Sequence, residues 1–282
     1  MKTIGDYTLQ TIETGRFRLD GGAMFGTVPK VLWDQQLPSD PQNRIDMALR
    51  TLLIRGHGRT ILIDTGMGHK WDERQQSMYA LDYSHTTLTQ SLNAAGIGLS
   101  DITDVILTHL HFDHAGGATM LRDGEPAPAF PNATYYIQKS NLEWARNAHE
   151  RERASYLPQN FEPLALAGCL ESIDGPTTLF PGLSVFVSDG HTIGLQGVRI
   201  EGSGESVVYC SDLIPTSAHI PVPWIMGYDI QPLILLNEKK NLLSQALDQN
   251  WILFFEHDPV TEACRLKPGK KYVEKGDPVV FS

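Results

Sequence analysis

A chain of 282 residues is long enough to bury a sizeable core, and a balance of 41% hydrophobic to 20% charged residues is that of an ordinary globular protein. With 33 acidic residues against 23 basic ones the formal net charge is −10, so no basic surplus is available to displace counterions and nucleic acid is excluded as the main partner. No apolar run approaches the roughly 18 residues of a membrane span, the N-terminus has no apolar core of signal-peptide length, and Cys169, Cys210 and Cys264 form no close pair. A cytoplasmic protein without a membrane segment is expected, and no repeat or linker divides residues 1–282 from being one domain.

In chain order, loose alternation predicts a strand over Tyr7–Glu13 and a second near Phe17. Residues 20–43 read as a long loop with exposed-looking Met24, Phe25 and Trp33, which either walls a pocket or caps the core. A hairpin follows, Met47–Arg55 and Thr60–Asp64 about a turn at Gly56-His57-Gly58, with His69 in a surface loop. Leu88 and Leu92 mark a helix over 85–95 that Gly96 stops.

The densest chemistry comes next. Val105-Ile106-Leu107 reads as a short buried strand, and within a few residues of its end stand His109, His111, Asp113 and His114. Burying such groups unpaired is costly, so a shared task is required, and holding metal ions is the task that fits. Imidazole nitrogen with carboxylate oxygen suits zinc and accepts manganese, iron or cobalt. His109 and His111, two apart in an extended segment, point the same way and can share one ion. Asp113 and His114 lie past the strand end, where a turn can direct them to a second.

This stretch, Thr108-His-Leu-His-Phe-Asp-His-Ala115, resembles the His-x-His-x-Asp-His signature of the metallo-β-lactamase superfamily. The resemblance covers most of the chain and implies an α/β fold, the αββα four-layer sandwich, with a two-metal site at one edge. The segment Asp20–Trp33 further resembles the start of the YtnP-type quorum-quenching lactonases, a branch near the N-acyl-homoserine lactonases. In the superfamily the Asp at position 64 orients the ligand loop through hydrogen bonds, so Asp64 is expected behind the ligands rather than among them.

Beyond the motif, residues 118–130 read as a connecting loop, Ala133–Gln138 as a strand and Asn141–Arg151 as a polar helix. Glu143, Arg146, Glu150 and Arg153 there suit a solvated charged face. Residues 154–168 read as loop, and Leu170–Ile173 and Leu183–Val187 as strands. His191, in Ser188-Asp-Gly-His-Thr192, matches the family's third imidazole of the first metal. Val198–Gly202 and Ser206–Cys210 form a hairpin, after which Asp212 matches the carboxylate that bridges the two metals. Cys210 reads as a buried strand residue. The proline-rich apolar stretch 213–236 cannot be a regular helix or central strand. It suits a pocket for a greasy substituent, with His219, Trp224, Met226 and Tyr228 as members, or else a dimer contact or ordinary packing. An amphipathic helix is predicted over Asn237–Asn250, and the buried strand Trp251–Phe255 delivers His257, which matches the last imidazole of the second metal. The tail is a closing strand or a loose end.

The resemblance thus implies His109, His111 and His191 on one zinc, Asp113, His114 and His257 on the other, and Asp212 between them. Two dications lower the pKa of a shared water, and Asp113 can pass a proton to a leaving alkoxide. His rather than Glu at position 111 argues for hydrolysis over the redox chemistry of flavodiiron proteins. The short tail after His257 disfavours a glyoxalase II. The expected enzyme is a lactonase of N-acyl-homoserine type, with catalytic Asp113 and Asp212 and an acyl pocket of Met24, Phe25, Trp33, His219, Trp224 and Tyr228. Pro215 departs from that family, which carries a Tyr there; Tyr228 or His219 would substitute. A phosphotriesterase or arylesterase of the same fold is the enzymatic alternative, and a non-catalytic metal-binding or sensor module the alternative of another class. A homodimer is a further expectation.

Overall fold

The strands are built on a two-residue period, and that period assigns every buried side chain to one of two faces. In the computed structural model, which describes residues 1–281, they form two large sheets. The first holds, in spatial order, Lys2–Ile4, Tyr7–Asp20, Arg44–Gly56, Arg59–Ile63, Asp104–Ile106, Thr134–Gln138 and Leu170–Ile173. The second runs in chain order from Thr177–Phe180 through Leu183–Ser188, Leu195–Gly202, Glu205–Tyr209, Ile252–Phe254 and Ala263–Lys267 to Glu274–Val279.

Alternation splits each strand between layers. Ile61, Ile63 and Ile106 of the first sheet meet Val207, Tyr209, Ile252 and Phe254 of the second in a core between the sheets. Their neighbours Leu62 and Val105 point outward, where Leu88, Leu92, Leu142 and Leu164 cover them from helices. Val208 and Leu253 point out of the second sheet onto Leu235, Leu242, Leu243 and Ala246. These last four belong to the helix Pro232–Asp248. The layers therefore run helix, sheet, sheet, helix. At roughly 1.5–3 kcal/mol for each fully buried aliphatic side chain, each of these layers contributes substantially to stability.

Several predicted elements differ. Tyr7–Asp20 is one strand, not two, because a bulge between Glu13 and Arg16 absorbs the break in alternation. The expected loop 118–130 contains a hairpin, Thr119–Arg122 paired with Glu125–Pro128. The polar helix spans Lys139–Arg146 and stops well before residue 151. Arg146 then pairs with Glu162 at 2.8 Å, on a short helix (Glu162–Leu166) inside the expected loop 154–168. The long helix starts at Pro232 rather than Asn237, since proline is well accommodated in a first turn, where no amide partner is needed. The tail closes the second sheet, Ala263–Lys267 pairing with Glu274–Val279. Among the described residues no helix is long and apolar enough to cross a membrane.

The topology gathers the chemistry at one edge. Arg59–Ile63, Asp104–Ile106 and Thr134–Gln138 are parallel neighbours in one sheet, and Glu205–Tyr209 and Ile252–Phe254 in the other. Their C-terminal ends release Asp64, the segment 108–114, Asp212 and His257 side by side. Buried Arg50 stitches the sheets there: its side chain donates to the carbonyls of Phe255 at 3.0 Å and Asp258 at 2.9 Å, and to Glu13 at 2.8 Å. Backbone closeness also matters. Gly68 has φ +63°, and a Cβ there would stand 2.3 Å from the Gly116 carbonyl oxygen behind the ligand segment. Gly68→Ala is expected to destabilise by about 2 kcal/mol or more through left-handed strain and this clash. A fall in Tm of about 4–8 °C in a thermal melt would register it; an unchanged Tm would mean that the turn relaxes freely.

Candidate metal centre

The strand Asp104–Ile106 ends and the backbone runs on extended to His111, whose φ of −62° and ψ of 154° precede a single helical turn, Phe112–Ala115. Extended backbone places His109 and His111 on one side; the turn swings Asp113 and His114 to the other. The loop after Leu183–Ser188 brings His191, and the turns after Glu205–Tyr209 and Ile252–Phe254 bring Asp212 and His257.

The structure places these seven side chains together, all buried, in two groups whose ligand atoms lie within 4.8 Å of one another. One group is His109, His111, His191 and Asp212; the other is Asp113, His114 and His257. In the first, His109 Nε2 and His191 Nε2 lie 3.0 and 3.2 Å from His111 Nδ1, and His191 Nε2 lies 3.2 Å from Asp212 Oδ2. In the second, the Nε2 atoms of His114 and His257 are 3.1 Å apart, and His257 Nε2 lies 3.6 Å from Asp113 Oδ2. Asp212 stands between the groups, with Oδ1 3.3 Å from His257 Nε2 and Oδ2 3.5 Å from His114 Nε2.

The far side of every ring explains why the near nitrogens are lone-pair donors. His111 Nε2 meets Glu152 Oε1 at 2.8 Å, His191 Nδ1 meets Asp229 Oδ1 at 2.9 Å, and His257 Nδ1 meets the Ala48 carbonyl at 3.0 Å. His109 Nδ1 lies 3.1 Å from the Thr108 hydroxyl, which itself donates to Asp64 Oδ2 at 2.7 Å. His114 Nδ1 faces two acids, Asp64 Oδ2 at 3.1 Å and Glu256 Oε2 at 3.0 Å. A neutral imidazole that donates on its far side presents an unprotonated nitrogen on its near side, the arrangement that fixes tautomer and ring angle in metal sites.

A divalent cation fits this donor set. Ligand atoms about 2.0–2.1 Å from a tetrahedral ion stand roughly 3.3 Å apart, which matches the spacings above. Nitrogens facing one another at 3.0–3.2 Å have no proton to share if each far side is the donor. Asp212 Oδ1 is buried without a hydrogen-bond partner, which calls for a cation. The local field agrees. Burial opposes charge on His257, yet Asp212 and Glu256 outweigh it and hold that ring up at about 9. Burial likewise opposes ionisation of Asp212, but His114, His191 and His257 hold its carboxyl well below the usual range. Surroundings that favour a proton this strongly favour a metal cation in its place. Burial pushes Glu256 up to about 8, against the opposing pull of His114.

Asp64 stands behind the ligands, accepting from the Thr108 amide at 2.7 Å as well as from its hydroxyl. A cavity of about 370 Å³ opens over the cluster, lined by Leu19, Met24, Met47, Phe112 and Met226, with Tyr79, Arg151, Ser155 and Tyr228 as its more polar part. Of the seven side chains expected around a substrate, Met24, Met226 and Tyr228 line it, and the other four do not. Phe25, Trp33 and His219 are buried in one stack beneath it, Phe25 lying parallel to Trp33 at 5.3 Å and to His219 at 4.5 Å. Trp224 packs edge-on to Phe25 at 5.8 Å. His219 contacts the Met24 carbonyl at 2.8 Å, so its polar atoms are engaged away from the cavity. The segment 20–43 is thus a packed cap on two short helices, Gly21–Phe25 and Lys30–Trp33, that presents Met24 alone.

Sequence reasoning missed Glu152, Asp229 and Glu256. Glu152 sits in a stretch that reads as a solvated charged face, yet it is 5% exposed and held by Trp144 Nε1 at 2.8 Å and the Tyr156 hydroxyl at 3.1 Å. Adjacency to His257 is the only signal for Glu256; none marks Asp229.

Comparison with known proteins agrees with this geometry. Residues 50–257 match the Metallo-beta-lactamase superfamily, and the chain belongs to it. It is a metal-dependent hydrolase of that superfamily with lactonase relatives. It is 26% identical to an N-acyl homoserine lactonase of Bacillus cereus over 274 residues, 92% of this chain and 97% of that one. A probable metal-dependent hydrolase from Staphylococcus aureus superposes with a TM-score of 0.88 at 28% identity, covering 99% of this chain and all of that one. AidC, a dizinc quorum-quenching lactonase solved in complex with a product, superposes at 0.82 with 25% identity, covering all of this chain and 97% of that one.

Metal stripped by a chelator is expected to lower Tm, and its return to raise it in proportion to ln(1 + [metal]/Kd); a Tm indifferent to metal would contradict the site. Glu152→Gln should keep the fold but weaken metal affinity about 10–100-fold, read by competition with a coloured chelator.

Proposed function

We propose that this protein opens lactone rings of the N-acyl-homoserine type, using two zinc ions held by His109, His111 and His191 on one side and Asp113, His114 and His257 on the other, with Asp212 shared. The observation that carries the reading is the juxtaposition of this double ligand cluster with the apolar cavity above it. Two divalent ions supply Lewis acidity and lower the pKa of a water to near neutrality.

The chain's own groups do the rest. Asp212, between the two clusters, offsets the repulsion of two close dications. Leu19, Met24, Met47, Phe112 and Met226 exclude water and accept the acyl chain. Asp113, at the base of the cavity, is the group placed to hold a proton and deliver it to the leaving alkoxide of the ring. Pro215 cannot donate to a substrate oxygen. Tyr228 can: it stands half-exposed at the cavity wall, and its protonated phenol is a hydrogen-bond donor at neutral pH. Free thiols at Cys169, Cys210 and Cys264 support a reducing compartment such as the cytoplasm.

The test is turnover at neutral pH of N-acyl-homoserine lactones from short to long acyl chain, beside simple γ- and δ-lactones, an aryl ester and a phosphotriester. Lactone opening that depends on chain length and vanishes in Asp212→Ala is the expected result. Tyr228→Phe is expected to lower kcat/KM about 10–100-fold, the loss of one oxygen-directed donor. Faster triester than lactone turnover would assign the site to a phosphotriesterase and overturn the substrate reading.

A further inference from the structure

The wall of the cavity formed by Met226, Gly227 and Tyr228 belongs to a segment, Pro221–Asp229, with no helix or strand of its own. Such a segment has no ladder of its own and keeps its shape through a few turn bonds and through contacts from outside. At its far end Asp229 takes the Met226 amide at 2.7 Å on one oxygen and His191 Nδ1 at 2.9 Å on the other. The backbone beyond joins the same loop, the Ile230 and Gln231 amides donating to the His191 and Gly190 carbonyls at 3.1 and 2.9 Å. In the middle the Gly227 amide donates to the Ala23 carbonyl at 2.8 Å, and Arg151 donates to the Gly227 carbonyl from the opposite side of the cavity.

At the near end Trp224 packs edge-on to Phe25, its amide donates to the Pro221 carbonyl at 2.9 Å, and one buried side chain holds both carbonyls of that turn. Lys239, on the helix Pro232–Asp248, is 1% exposed, and its Nζ donates to the Pro221 carbonyl at 3.0 Å and the Trp224 carbonyl at 2.6 Å. Burying a lysine is costly, and here burial pulls the group down to about 7 against the opposing pull of Asp229. An alkyl side chain would fill the same space without that cost. The amine has N–H donors enough for both carbonyls whether or not it carries the extra proton. Its contacts are with the segment that walls the cavity, and it lies outside the cavity lining itself.

We propose that Lys239 is a positioning residue for substrate choice: by pinning the carbonyls of Pro221 and Trp224 it sets where Met226 and Tyr228 stand, and so how long an acyl chain the cavity accepts. This inference rests on the lactonase reading above for its substrate, but not for its mechanics. With the pin removed, the wall yields while the ligand loop, held separately by Asp229, keeps its metals.

The test compares the metal-loaded wild type with Lys239→Met, which keeps the side-chain length and loses the donors, and Lys239→Arg, which keeps donors. In Lys239→Met, KM for lactones of intermediate chain length is expected to rise about tenfold, the equivalent of ~1.4 kcal/mol. The kcat should change much less, and the preference between short and long chains should flatten. Lys239→Arg is expected to restore the preference, and metal content to be equal in all three. A wild-type chain-length profile in Lys239→Met would overturn the inference. So would kcat falling with metal content, which would make Lys239 a support of the fold. Amide hydrogen exchange of residues 222–230 gives a readout without substrate: faster exchange in Lys239→Met supports the pin and unchanged exchange overturns it. Lactones inert to the wild type would instead sink the lactonase reading and leave the exchange result to stand.

Discussion

Seven buried imidazoles and carboxylates that could hold metal ions converge on one space, and a dense set of hydrogen bonds around them fixes where they point. Left alone, the imidazoles would rotate or take protons, and the carboxylates would turn to water. Each ring is prevented from doing so at its other nitrogen, by Thr108, Glu152, Asp229, the Ala48 carbonyl, or the pair Asp64 and Glu256. Those acceptors fix which nitrogen is bare. The desolvation of this whole array is the constraint to which the surrounding fold answers.

That constraint explains why two sheets are needed. The short stretch 109–114 supplies only part of each cluster, and the second sheet completes both, with His191 and Asp212 for one and His257 for the other. Its strands are locked to the first through the core between them and through Arg50. The spacing of the clusters therefore depends on the sheet packing as well as on the turn that separates His111 from Asp113. Asp212, at the end of Glu205–Tyr209, and His114, at the end of Asp104–Ile106, approach to 3.5 Å only because both strands end at the same edge.

The cavity obeys a looser rule. Leu19 and Met47 line it from strands, but the wall at residues 226–228 has no regular structure, and its shape depends on particular hydrogen bonds such as those of Lys239 and Asp229. Met24 reaches the cavity because Phe25, Trp33 and His219 stack beneath it and use up the aromatic surface that the sequence offers there. The candidate metal groups sit at the ends of the sheet strands and part of the cavity wall on loops, a division that lets one vary while the other stays.

Much of this was legible in the residues themselves. The spacing of His109, His111, Asp113 and His114 after an apolar strand announces metal ligands, because no other arrangement makes burying them tolerable. The two-residue and helical periods announce covered sheets, because they follow from backbone geometry alone. Sequence could not show that Glu152 turns inward from a run of charges, that Asp229 meets His191 from 38 residues away, or that Phe25, Trp33 and His219 face the core while Tyr228, expected beside them, lines the cavity. Side chains on irregular backbone have no period to assign them a face. Their partners are distant in the chain, so only the packing of the two sheets decides where they point.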